Sequence, residues 1–262
     1  MVKKYDAVVI GAGNGGLTAA ARLAKEGKRV ALLEQHNMPG GFATSFVRGR
    51  FEFEPSLHEL CDLGSEEKPG AIRALFDDLG VRLEWCPMKD AFRTILTDDP
   101  DLKDYTMPFG TKEFTDKMEE YVPGSRESTE KFILLCEDLN RAVNYMTEAS
   151  GHVDPKVMQK EHANFLKCAP YSVNEVLDAL KMPKAAQKIL GSYWCYIGVP
   201  LDRLSFFFYA IMVYKYLVGG AYIPKDRSHA ISVALAERVM ALGGEVYCNT
   251  RAEKILMRGG KP

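Results

Sequence analysis

The residues best suited to chemistry are three glycines and a glutamate near the start of the chain. Gly11, Gly13 and Gly16 form a G-x-G-x-x-G pattern, and Glu34 follows at the distance where such patterns carry an acid. The first glycine permits a tight turn, the second lets a pyrophosphate approach the backbone, and the third allows close helix–strand packing. The acid accepts hydrogen bonds from a ribose and repels a 2′-phosphate. These residues predict a dinucleotide site.

Neighbouring residues belong to the same candidate site. Ala12, Asn14 and Gly15 lie within the glycine pattern, and Gln35 directly follows the acid. We expect N–H groups around Asn14 and Gly15 to face the phosphates at the positive end of a helix. The alternative is a glycine-rich turn without a ligand. The acid and the flanking elements favour the ligand.

A strand, a helix and a second strand are needed to position these groups. The run of residues 7–10 is apolar without alternation, as in a strand buried on both faces, and residues 30–33 form a second such run. Between them, apolar residues recur at helical spacing until Gly27. These helical residues are Leu17, Ala20, Ala21 and Ala24. The pattern predicts an α/β fold with a Rossmann-like parallel sheet.

The overall composition excludes several classes of protein. The chain has 262 residues, of which 47% are hydrophobic, and a net charge of −1, which disfavours a nucleic-acid partner. Its six cysteines include no C-x-x-C pair and its histidines lack ligand spacing, so we predict reduced thiols and no metal. The first predicted strand starts close to Met1, so we expect no signal peptide and a cytoplasmic location.

A glycine pair, Gly40–Gly41, follows the second strand. This pair resembles the extended fingerprint of two-dinucleotide-binding flavoproteins, which favours FAD over NAD. Further motifs are similar to the phytoene desaturase, carotenoid isomerase and retinol saturase group of the flavin amine oxidase-like superfamily. They are VIGAGNGGLTAAARLAKEGKRVALLEQ, PGGFATSF, GRFEFEPSLHEL and YIPKDRSHAISVALAERVMALGGEVYCNTRAEKIL.

This resemblance implies an FAD-binding domain with a helical substrate domain inserted into it. We assign residues 1–65 and 222–262 to the first domain and residues 66–221 to the second. Members of the group run much further, so we expect a truncated chain without its C-terminal FAD segment. An unpaired sheet edge would then promote association, as an oligomer or with the missing half.

The resemblance also assigns individual residues. It implies that the backbone of Ala252 clasps the adenine and that His58 lies near the flavin. For His58 we leave open proton transfer, lining of the flavin or substrate site, and a purely structural role, and we assign no catalytic residue. Two motifs depart from the group. Phe42 replaces a phosphate-binding arginine, and Asp226–Arg227 replace a glycine pair.

The middle of the chain is predicted to be mostly helical. Residues 204–218 are the most apolar run, which is shorter than the ~20 residues of a membrane-spanning helix. Three roles are open for this run: core packing, the wall of an apolar substrate cavity, and peripheral membrane contact at the inner face.

Other local patterns predict further elements. We expect helices at 71–79 and 125–150 and a strand at 91–97. We also expect a Ser172–Glu175 capping box, a helix starting at Pro183, and a helix capped by Ser228 and ending at Gly243–Gly244. Strands at 245–248 and 252–257 and a hairpin turn at 258–262 complete the predicted elements.

Together these features predict an FAD-dependent oxidoreductase acting on C–C bonds of a long apolar, polyene-like lipid by desaturation, saturation or isomerisation. One alternative keeps the FAD and changes the substrate to an amine. Another is a dinucleotide-binding module without catalysis.

Overall fold

The computed structural model describes residues 3–97, 103–257 and 259. The chain divides into two compact units. The first unit comprises Met1–Pro87 and Ala221–Pro262, and the second comprises Met88–Gly220.

The first unit contains both strands and helices, whereas helices dominate the second. The strands are β1 (Ala7–Ile10), β2 (Val30–Leu33), β3 (Phe46–Arg48), β4 (Phe51–Phe53), β5 (Trp85–Pro87), β6 (Phe92–Ile95), β7 (Asp104–Met107), β8 (Tyr222–Pro224) and β9 (Glu245–Tyr247). The helices are α1 (Asn14–Lys25), α2 (Ala71–Leu79), α3 (Thr111–Tyr121), α4 (Arg126–Glu148), α5 (Pro155–Glu161), α6 (Ala163–Cys168), α7 (Val173–Ala179), α8 (Lys184–Leu190), α9 (Phe206–Gly219) and α10 (Arg227–Ala241).

The first unit is built on a parallel sheet in the order β1-β2-β9. Val9 pairs with Leu32, and Leu32 pairs with Val246. Because parallel strands need a crossover, α1 connects β1 to β2 and packs back on the sheet. The predicted Rossmann-like fold is confirmed.

A single apolar core joins this sheet to three helices. All four predicted inward residues of α1 are buried there, together with residues from α2 and α10. The α2 and α10 residues include Phe76, Leu79, Ile231, Leu235 and Val239. These helical residues follow the 3.6-residue period, so sequence pattern and core agree.

The prediction that β1 is buried on both faces is wrong. Val8 and Ile10 are 53% and 55% exposed, whereas Val9 packs against the core. The two exposed side chains alternate with Val9, so they point to the opposite face of the sheet. Only one face of β1 is therefore covered by the described residues.

The first unit extends further along the chain than residue 65, the predicted boundary. Phe76 and Leu79 of α2 lie in its core, and β5 pairs antiparallel with β8, where Trp85 lies opposite Pro224. The apolar stripe of α2 indicated that the helix buries one face, but not which core receives it. These long-range contacts place residues 66–87 in the first unit.

The second unit is mostly helical, as predicted, with one hairpin of β6 and β7. Helices α4 and α9 pack together through Phe132, whose ring centroid lies 6.0 Å from that of Phe206 and 6.4 Å from that of Tyr209. The apolar run at 204–218 is therefore a core helix with one buried side. Among the described residues, no helix is both long and apolar enough to cross a membrane.

Local capping signals gave mixed outcomes. The Ser172–Glu175 capping box is confirmed at α7. Pro183 is the N-cap of α8 rather than its first residue. Ser228 lies inside α10, and the carboxylate of Glu54 accepts hydrogen bonds from its N–H and hydroxyl. The first turn of α10 is thus capped by a residue far away in sequence.

The C-terminal predictions also differ from the structure. Residues 252–257 form no strand, since no ladder partner accompanies them in the described part of the chain. The hairpin turn predicted at 258–262 falls outside the described residues, apart from Gly259.

Candidate functional site

The turn from β1 into α1 has the geometry that its glycines require. Gly11 has a φ of +96°, in the left-handed region that favours glycine, and its N–H donates to Leu33 O at 2.8 Å. Gly13 is the N-cap of α1 and provides no side-chain cap. The N–H groups of the first turn are consequently left to another acceptor.

The glycines of this turn do different things. A Cβ on Gly16 would lie 2.0 Å from Gly11 O, so this position requires glycine for helix–strand packing. At Gly13 and Gly15, a Cβ would meet no heavy atom within 4 Å. Open space therefore faces these two positions, where a bound phosphate would need room to approach the backbone.

The side chain of Glu34 is turned toward the glycine turn. Its residue is 9% exposed, and Oε2 accepts a hydrogen bond from Ala12 N at 2.7 Å. Oε1 accepts from His36 N at 2.8 Å, which fixes the orientation of the carboxylate. The backbone oxygen of Glu34 accepts a further hydrogen bond from Thr250 N at 2.8 Å. Both the carboxylate and the backbone of Glu34 are thus held in place beside the turn.

The Gly40–Gly41 pair lies against the same turn. Gly40 N donates to Ala12 O at 2.7 Å, and a Cβ on Gly41 would lie 3.3 Å from Gly13 Cα. Gly40 has a φ of +129° and Gly41 one of +60°. Positive φ and the short distance to Gly13 both explain why glycines occupy these positions.

Ser232 on α10 is a site residue that sequence reasoning missed. Its buried hydroxyl lies 3.2 Å from Asn14 Oδ1 and 3.1 Å from Ala43 O. It therefore holds the first turn of α1 next to the segment after the glycine pair. Its sequence position beside Ile231 on the buried stripe was the one available signal, and that signal does not reveal the partners.

Three other predicted residues, Gln35, Ala252 and His58, have different surroundings. Gln35 is exposed, and Ala252 comes two residues after Thr250, which is bonded to Glu34. His58 lines a separate cavity of 260 Å³ together with Glu54, Leu57 and residues of the β8–α10 segment. None of the glycines of the turn lines this cavity. The role of His58 stays a prediction.

Comparison with known proteins gives a match to a domain family and matches to longer relatives. Residues 9–79 match the model of the NAD(P)-binding Rossmann-like domain. All-trans-retinol 13,14-reductase of Homo sapiens is 29% identical over 264 residues, which cover 97% of this chain and 43% of that protein. Phytoene dehydrogenase of Streptomyces griseus is 25% identical, with 97% of this chain and 50% of that protein covered.

The chain is related to the phytoene desaturase, carotenoid isomerase and retinol saturase group. The resemblance inferred from the motifs is confirmed, and the chain spans about half or less of the length of these relatives. An oxidoreductase of Methanosarcina mazei shares the fold, with a TM-score of 0.65 and 18% identity over 97% of this chain and 53% of that one.

The departures from the group's motifs have distinct structural settings. Phe42, at the position of the group's arginine, is 87% exposed and brings no charge to the glycine pair. Arg227, at the second glycine of the other motif, has a φ of +66°. It forms an ion pair with Glu52. The backbone thus keeps a glycine-like conformation although the residue is arginine.

The residues present fit a dinucleotide bound through its ADP half. Three features support this fit: the open space at Gly13 and Gly15, a first turn of α1 whose N–H groups receive no side-chain cap from the N-cap residue, and the oriented Glu34 carboxylate. The first unit is therefore a Rossmann-like nucleotide-binding domain.

Proposed function

We propose that this protein is an FAD-dependent oxidoreductase that acts on C–C bonds of a long apolar, polyene-like lipid. The observation that carries the proposal is the Glu34 carboxylate, buried beside Ala12 N and next to the Gly40–Gly41 pair. An acid in this position serves an adenosine ribose. The glycine pair favours FAD over NAD, because it resembles the extended fingerprint of two-dinucleotide-binding flavoproteins.

The chain's own residues bind and orient the cofactor. The N–H groups of Asn14 and Gly15 would donate to the diphosphate, aided by a helix dipole equivalent to about half a positive charge. Glu34 would accept from the ribose hydroxyls, and the backbone of Ala252 would contact the adenine. Gly13 and Gly41 would let the diphosphate lie against the main chain.

When bound, the flavin supplies hydride transfer to or from carbon. The protein then has to position the substrate, exclude water and, where the reaction needs it, move a proton. His58 is the side chain we propose for lining the flavin or substrate site. No nucleophilic side chain is required by this chemistry.

The substrate class is supported by the relatives. The compounds in the names of the two relatives are retinol, a polyene alcohol, and phytoene, a polyene hydrocarbon, and both are largely hydrocarbon. A polyene offers no charged group for recognition, so the binding site would depend on apolar surface and shape.

The central test is FAD binding by the Glu34→Gln variant. The full-length protein should be yellow and release FAD on denaturation. Loss of the charged acceptor should weaken binding about ten- to a hundred-fold, as expected for a hydrogen bond to a charged group. Isothermal titration calorimetry with FAD, NAD and ADP-ribose measures this change.

Glu26→Gln is the matched control, because Glu26 lies at the other end of α1 and pairs with exposed Arg22. A colourless full-length protein that cannot be reconstituted with FAD would contradict the proposal. Peroxide release with amines would favour an amine oxidase. Tight FAD binding without flavin reduction by any donor would favour a non-catalytic module.

A further inference from the structure

The second unit contains a cavity of 660 Å³ that the proposed flavin chemistry does not use. Helices α4, α6 and α7 supply its walls. Its volume falls within the range of about 300–1,000 Å³ that is typical of small-molecule sites. The lining residues from α4 and α6 are Leu135, Lys167 and Cys168.

The inner wall of the cavity is apolar. Leu135 comes from α4, and Val176 and Leu180 come from α7 and its C-cap. The thiol of Cys168 also lines the cavity, and burial raises its pKa, so it stays uncharged at neutral pH. This wall offers a hydrocarbon chain apolar surface without a charge.

Two acids at the cavity are already bonded within the protein. The carboxylate of Glu175 accepts from Ser172 N and Oγ, both at 2.8 Å. Asp178 accepts from Lys184 Nζ and from Gln187 Nε2, the latter at 2.8 Å. The charges of these carboxylates are therefore stabilised locally by a helix N-terminus and by a lysine.

Lys167 is the cation of the lining without such a partner. It lies at the end of α6, and no ion pair joins it to another residue within 3–97, 103–257 or 259. An amine beside an apolar wall is complementary to a molecule with a hydrocarbon chain and one terminal negative charge.

We propose that this cavity binds a long-chain carboxylate, with the hydrocarbon against Leu135, Val176 and Leu180 and the carboxylate at Lys167. The ligand class is a fatty acid or a polyene acid. The site lies within the second unit and is separate from the nucleotide-binding turn of the first. It can therefore exist whether or not the protein binds FAD.

The test is a fluorescence titration of the full chain, without added FAD, with cis-parinaric acid, a polyene carboxylate that becomes fluorescent in apolar sites. Oleate should displace it about three- to five-fold more effectively than oleyl alcohol, because the alcohol lacks the charge that Lys167 would pair with. Lys167→Met should weaken parinarate binding about three- to five-fold, as for a partly exposed charge pair. The same change at exposed Lys160 of α5 is the matched control and should have no effect.

A second variant tests the apolar part of the cavity. Ala179 lines the cavity and is exposed, so Ala179→Trp should fold and fill the space, reducing parinarate binding at least ten-fold. Oleate should also slow alkylation of Cys168 in the wild type, measured by peptide mass spectrometry, without slowing that of exposed Cys195.

Three outcomes would overturn the proposal: equal binding by the Lys167 and Lys160 variants, full binding by Ala179→Trp, or equal displacement by oleyl alcohol. Binding to phosphatidylglycerol vesicles without binding of free oleate would likewise overturn it and identify a membrane surface as the partner. Circular dichroism melting of each variant checks that it is folded.

Discussion

Glu34 is held at the candidate site by two hydrogen bonds within the chain. Its carboxylate fixes Ala12 N in the turn and His36 N in the following segment. A side chain held in this way loses little conformational freedom when it meets a ribose, which favours binding. The nearby glycines lack side chains, so the main chain would be able to approach the proposed diphosphate.

Alanine substitutions at Gly16 and Gly15 distinguish an effect on packing from an effect on ligand binding. Gly16→Ala should destabilise the fold by about 1–3 kcal/mol, because its Cβ would lie 2.0 Å from Gly11 O. Gly15→Ala meets nothing within 4 Å and should raise stability by up to about 1 kcal/mol through helix propensity. Urea unfolding measures both changes.

The same alanine at position 15 would occupy the open space in front of the turn, so FAD binding should weaken although the fold is more stable. Stability and affinity that fall together in Gly15→Ala would contradict this division between the two glycines.

Helix α10 connects several parts of the first unit. Glu54 caps its first turn at Ser228, Ser232 reaches Asn14, and Ile231 and Leu235 pack in the core below. The helix therefore ties the hairpin of β3 and β4 and the nucleotide-binding turn to one rigid element. Substitutions at the start of this helix should therefore affect both the hairpin and the nucleotide-binding turn.

Arg227→Gly should stabilise the protein by about 1 kcal/mol. Arg227 has a φ of +66°, which is unfavourable for a residue with a Cβ and free for glycine. Its ion pair with Glu52 involves two side chains that are 51% and 41% exposed, so its loss matters less. Thermal unfolding measures the gain.

Arg227→Ala is the control for this change, since alanine loses the ion pair and keeps the strained backbone. It should be no more stable than the wild type. A gain equal to that of the glycine variant would show that the side chain, and not the backbone conformation, is unfavourable.

For the molecule as a whole, the two units have different kinds of core. The first buries one face of a parallel sheet under α1, α2 and α10, and Val8 and Ile10 remain exposed on the other face. The second buries aromatic side chains between helices. The expected association through the exposed sheet stays a prediction.

Thiol reactivity reports on the integrity of the second unit. Cys136 is buried in α4 and burial raises its pKa well above the usual value, whereas Cys195 is exposed. The thiolate is the reactive form, so at pH 8 Cys195 should be alkylated rapidly and Cys136 should react only in the unfolded chain.

Peptide mass spectrometry after iodoacetamide treatment, with and without urea, gives the two rates. Equal rates at the two cysteines in the folded protein would show that α4 is not packed as the structure has it.

Features that depend on neighbouring residues could be predicted without the structure. The glycine spacing, the acid after β2, the bounds of α2 and the capping box at Ser172 all arise from hydrogen bonds or periodicity within one element. Such contacts are nearly the same in any fold that contains the segment, so they could be predicted.

Contacts between faces and between distant residues depend on how the whole chain folds. Glu54 and Ser228 are 174 positions apart, and Ser232 and Asn14 are 218 apart, so no local pattern reports these contacts. The uncovered face of β1 and the packing of α2 in the first unit have the same origin. Hydrophobic burial is not directional, and an apolar stripe therefore states that a face is buried without naming its partner.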